Sequence, residues 1–154
     1  MESVEKMFEK PRLQKMYMDF LSKEGYKPEL ESQGDVAFKY QGKQYSIEIY
    51  DEDPGFGRLC LMEEAEFGEN LIYAHIAASK TSGSIKLVKT YIRDMHDDGL
   101  DGKEFIVFAI PFLLTKPDHF ENYFQRMLDD MQNAYNEFDE IMGQLCNNEE
   151  NEEK

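Results

Sequence analysis

The chain has 154 residues, enough for one domain, and a domain of that size buries roughly 70% of its unfolded surface, so its core needs no disulfide or metal. Its 32 acidic residues against 17 basic give a net charge of -15, which disfavours nucleic-acid backbones and anionic membranes, since both are bound largely through Lys and Arg. The same acidity either supplies solubility or steers a basic partner.

Residues 1–6 lack the basic and apolar regions of a secretory leader, and the longest apolar run, residues 105–114, is too short to span a bilayer; a cytoplasmic protein is expected. Val4, Met7 and Phe8 form either a short helical turn or a lead into the next element. Pro11 marks a helix start, and Leu13, Met16, Tyr17, Phe20 and Leu21 fall at helical spacing before Gly25 ends the element.

Three strands follow. Val36, Phe38 and Tyr40 alternate with polar or small residues, and Gln41-Gly42 turns the chain into Tyr45, Ile47 and Ile49. The Asp51–Gly55 turn leads to a third strand carried by Leu59 and Leu61, reaching about Glu66. Leu71 to Ala78 reads as a short helix broken by Ser82-Gly83-Ser84. A strand from Ile85 to Met95 and the polar turn 97–102 come next. The strand at 105–112 is apolar on both faces, so it is expected to lie under a helix on one side and a second subunit or helix on the other.

The last predicted helix opens with Thr115, Pro117 and Asp118 in a cap-like pattern. Phe120, Phe124, Met127, Met131, Ala134, Phe138, Ile141 and Leu145 then follow at steps of four and three, the spacing of a coiled-coil seam. Leu128, Tyr135 and Met142 widen that stripe to three residues per heptad, which suits a helix lying on a sheet better than a narrow dimer seam. About thirty residues would span roughly 45 Å, so its end is expected to overhang or meet another subunit. The domain is placed at 1–146, and 147–154, with no apolar residue, is read as a disordered acidic tail.

The resulting order is αβββαββα: an α+β fold with an antiparallel five-stranded sheet flanked by helices and a long C-terminal helix. Residues 20–28, with Gly25-Tyr26-Lys27-Pro28 closing the first helix, residues 34–43 across the first hairpin, the acidic turn Asp51-Glu52-Asp53-Pro54 with Phe56, Arg58 and Leu59, and Lys86-Leu87-Val88-Lys89 carry a resemblance. Over about Pro11 to Leu145 the chain resembles the class I chaperones of type III secretion and, more closely, the bacterial YbjN-like branch of that chaperone-like fold. One departure is Ala77 to Ser82, where the family pattern has an Asn-rich junction. The resemblance implies a homodimer that holds an unfolded stretch of another protein, hence a protein or peptide partner, while the charge balance speaks against nucleic acid and membrane.

No residue set points to catalysis, a cofactor or a metal. Asp94, His96, Asp98 and Gly99 resemble the first half of a calcium loop, but Phe105 stands where a bidentate Glu is required, and a solvated turn is the reading. Asp51, Glu52 and Asp53 form a surface turn whose alternative use is a cation or a basic partner segment. His75, His96 and His119 fall in separate elements, and Cys60 and Cys146 show no metal or redox spacing and are read as free thiols. The leading expectation is a non-enzymatic protein-binding or chaperone-like protein. The alternative is a small-molecule sensor or enzyme with a pocket between the sheet and the long helix, where Tyr45, Tyr91 or His75 point inward. A pure assembly role through the long helix, tested at Phe138, is a third.

Overall fold

The computed structural model describes residues 9–53, 55–93, 103–116 and 118–152, with side chains up to residue 148. The segment holding Val4, Met7 and Phe8, residues 94–102 with His96, on which the end of the expected strand at Met95, the expected turn 97–102 and the calcium-loop candidate fall, and Pro54 and Pro117 lie outside the described residues. The elements run α1 (Lys10–Lys23), β1 (Glu29–Leu30), β2 (Val36–Tyr40), β3 (Lys43–Ile49), β4 (Phe56–Ala65), a 3-10 turn (Gly68–Asn70), α2 (Leu71–Ser84), β5 (Lys89–Arg93), β6 (Glu104–Leu113) and α3 (His119–Glu152). They form the α+β fold read from the sequence, with the strands in the order β1-β2-β3-β4-β6-β5.

Among the described residues the sheet has six strands where five were expected. The addition is β1, whose two residues pair antiparallel with β2 as Glu29↔Ala37 and Leu30↔Val36. Two residues carry no alternation for a sequence reading to detect.

By compactness the chain divides into two units: residues up to Leu61 with Ile110–Met127, and Met62–Ala109 with the chain from Leu128 onward. In the first unit, α1 buries Leu13, Tyr17, Phe20 and Leu21, about 1.5–3 kcal/mol of apolar burial apiece. Tyr17 and Phe20 meet Phe120 edge-on at 4.8 and 5.9 Å. Phe124 sits among Phe20, Phe38 and Phe120 with ring centroids 5.2 to 5.7 Å away. The α3 stripe thus packs on the sheet here, as its three-residue width predicts.

The second unit repeats the theme. Phe108 of β6 lies 5.6 Å from Tyr135 and 6.0 Å from Phe138. Val107, Phe108 and Ala109 are at most 1% exposed, so both faces of β6 are covered by the chain itself and no second subunit is needed there. Helix α2 buries Ala74, Ala77, Ala78 and Thr81 and does not break at Ser82-Gly83-Ser84. The Ser82 hydroxyl accepts from Thr90 N at 2.7 Å and donates to Thr90 O at 2.9 Å, while Thr81 Oγ1 and Ser84 Oγ donate to carbonyls one turn back. Those bonds give the serines a helical use that composition alone does not predict. They also occupy outward-facing backbone groups of β5, an edge strand, which protects it from pairing with other chains.

Two further boundaries differ. Strand β5 begins at Lys89 and not Ile85, because Ile85 N bonds back to Thr81 O and Val88 N to Ile85 O, making a turn of residues 85–88. Thr115 does not close a capping box: its Oγ1 lies 3.0 Å from His119 Nδ1. At the other end α3 runs to Glu152, past Leu145 and Cys146, for a length of about 51 Å at 1.5 Å per residue. After Gly143 no Gly or Pro interrupts the backbone ladder, so the polar residues extend it.

Candidate functional site

Two features of the first unit combine open space with polar chemistry. The first lies at the β1–β2 end of the sheet. Helix α1 closes with Gly25 at φ 95°, a left-handed conformation that glycine adopts without a Cβ clash. Gly25 N donates to Ser22 O and Tyr26 N to Leu21 O, the paired bonds of a Schellman cap. The cap swings Tyr26 against Phe38, Tyr40 and Phe124, at 5.5, 6.2 and 5.9 Å. Burial chiefly, then the nearby Tyr40 and Glu24, raise its phenol pKa, so it stays protonated at neutral pH.

The register of β2 decides what this end offers. Gln41 and Gly42, at φ 49° and 79°, form a two-residue primed turn, and Tyr40↔Lys43 is the pair that closes it. Hydrogen-bonded and open pairs alternate along an antiparallel ladder, so Phe38 and Val36 bond toward β3, while Ala37 and Lys39 turn their N–H and C=O the other way. Ala37 faces Glu29 of β1. Among the described residues no strand lies opposite Lys39, because β1 is confined to Glu29–Leu30. A cavity of about 510 Å³ lies at this end of the sheet, lined by Gly25, Tyr26, Lys27 and Glu29 from the chain after α1, Ala37, Phe38 and Lys39 of β2, and Gln44 of β3.

The second feature, a cavity of about 450 Å³, is lined by Lys10, Gln33, Asp35, Glu48, Ile49, Tyr50, Asp51 and Glu52. Lys10 forms an ion pair with Asp51 at 3.3 Å and donates to Gln33 O. The acidic turn singled out in the sequence is therefore tied to α1. Arg58 holds Glu48 with two bonds, Nε to Oε2 at 2.7 Å and Nη2 to Oε1 at 3.1 Å, and the Tyr50 hydroxyl donates to the same Oε2 at 2.5 Å. Burial first and then this carboxylate push the Tyr50 phenol up to about 12. Asp35 Oδ1 accepts from Ile49 N at 3.0 Å. Burial raises the Asp35 pKa, helped by Glu48 and Glu31 and opposed by the Ile49 bond and Lys10. The cross-strand pair Glu48↔Arg58 was accessible from the hairpin register, whereas the reach of Lys10 to Asp51 joins residues far apart in sequence.

The remaining sequence candidates do not form one constellation. Tyr45 is buried, stacked on Phe38 at 5.6 Å, as part of the aromatic core. His75 is exposed on α2, Tyr91 is half-buried on β5, and His119 meets Thr115. Cys60 is buried with its Sγ 3.9 Å from Arg58 Nη2, and Cys146 is half-buried on α3; both are free thiols. Phe138 is buried against Phe67 and Phe108, so it serves the core of its unit. Among the described residues no three His, Cys, Asp or Glu side chains are grouped to hold a metal ion, and no helix is long and apolar enough to cross a membrane.

A scan against protein-family models and a search of curated proteins find no match. Among solved structures the chain is similar to the crystal structure of YbjN from E. coli, described as a candidate transcription regulator, at 14% identity and a TM-score of 0.62, over 87% of this chain and 92% of that one, a likeness of fold.

Proposed function

We propose that the chain is a non-enzymatic, cytoplasmic protein-binding protein of the secretion-chaperone-like kind, a homodimer that holds an extended segment of a partner protein at the open end of its sheet. The observation that carries this reading is the backbone of Lys39, turned away from β3 where no strand among the described residues covers it, at a residue that also lines the cavity. An exposed edge of this kind binds extended peptides by adding main-chain hydrogen bonds to the ladder. Similarity to the YbjN fold supports the architecture, and neither nucleic acid nor membrane is a partner in this reading.

The test is an array of extended twelve-residue peptides probed with the parent chain, Lys39→Ala and Lys39→Pro. Proline removes the outward N–H without touching the bonds to β3, and an edge position tolerates it. Binding that is kept, at most weakened, with Lys39→Ala but lost with Lys39→Pro is expected. Equal retention by both variants would contradict edge binding, and light scattering that shows a strict monomer would contradict the dimer.

A further inference from the structure

The cavity beside Lys39 is a wedge closed at one end. Its walls are the segment leaving α1 and the edge of β2, and they meet at the Glu29↔Ala37 pair. Continuing that register backwards places Lys27 across from Lys39, yet residues 26–28 are not part of β1. A strand passing through would run into the closed end, whereas a strand that stops there can enter.

Two cations stand together at the wedge in a chain whose acidic residues outnumber basic ones nearly two to one. Among the described residues neither Lys27 nor Lys39 makes a hydrogen bond or ion pair through its side chain, as also holds for Lys23, Lys80, Lys86, Lys89 and Lys116. Both line the wedge, together with the Gln44 amide and a single carboxylate, Glu29. At physiological salt the screening length is about 8 Å, so the acidic remainder of the surface weighs little against groups in direct contact.

We propose that this wedge captures the C-terminal carboxylate of an extended peptide, with Lys27 and Lys39 as its cations and the Lys39 N–H as the backbone donor. The inference rests on the edge-binding reading above and adds to it which end of the partner is recognised. Terminal carboxylates are captured elsewhere in nests of several backbone donors; here one N–H is supplemented by two ammonium groups, whose charge-assisted bonds are about twice as strong as neutral ones. Lys27 and Lys39 are exposed, so changing them leaves the core untouched.

The experiment is fluorescence anisotropy with an N-terminally labelled eight-residue peptide of alternating valine and serine, as the free acid and as the C-terminal amide. A third peptide is amidated and carries an internal glutamate. The free acid is expected to bind about tenfold more tightly than either amide, and Lys27→Gln with Lys39→Gln is expected to erase most of that difference while thermal melting stays unchanged. Equal affinity of free acid and amide overturns the terminal site but leaves edge binding standing. So does an internal-glutamate amide that matches the free acid, or a difference that survives in the double variant. Absence of binding by all three peptides overturns both readings.

Discussion

Phe124→Ala removes the ring around which the first unit is built. Phe124 is 3% exposed and touches Phe20, Tyr26, Phe38 and Phe120, drawing together α1, the chain after it, β2 and its own helix. Truncating a buried phenylalanine costs about 3–5 kcal/mol, and aromatic pairs contribute about 0.5–1.5 kcal/mol beyond area burial, which puts this site near the upper end. At about 2–4 °C per kcal/mol for a chain of this size, a loss of about 4–5 kcal/mol lowers Tm by about 8–20 °C. Far-UV circular dichroism through thermal and urea unfolding reads the effect. Tyr123, one residue earlier and 60% exposed, is the control, and Tyr123→Ala should stay within about 0.5 kcal/mol. A Phe124→Ala cost below about 1 kcal/mol, or an equal cost at Tyr123, would refute the docking of this helix on the sheet.

Two further outcomes follow from single side chains. Ser82→Ala strips partners from both Thr90 N and Thr90 O, so it should cost about 1–3 kcal/mol by urea midpoint and speed exchange of the Thr90 amide, while Ser82→Thr keeps the hydroxyl and most of the stability. Asp35→Asn tests the electrostatics of the second cavity. A carboxyl whose folded pKa is raised contributes stability that is complete below its ordinary pKa of 3.8 and is lost as pH rises through the folded value. Asparagine retains an acceptor for Ile49 N and does not titrate. The Tm of Asp35→Asn relative to the parent should therefore be higher at pH 7 than at pH 3, and a difference independent of pH would contradict the assignment.

Much of this architecture is legible in the residues. The β2–β3 hairpin follows from strict alternation around Gln41-Gly42, and the long helix from a stripe whose width already favours a sheet over a coiled-coil partner. What escaped has tertiary causes. Strand β1 exists because Glu29 and Leu30 find Ala37 and Val36, and α2 continues through three poor helix residues because Ser82 finds Thr90. The acidic turn at Asp51 was visible, but not Lys10 at its side. The wedge was invisible for a related reason. Lys27 and Lys39 are ordinary lysines in sequence, and only the fold brings both to the lining of one cavity.

The most direct measurement is amide hydrogen exchange by NMR, with and without a saturating extended peptide. In the chain alone the Lys39 N–H, turned outward with no strand opposite, should exchange quickly, while Phe38, bonded toward β3, is protected. Peptide binding is expected to slow exchange at Lys39 and leave Phe38 as it was. Slowing confined to other residues, with Lys39 unaffected, would contradict binding at the open end of the sheet.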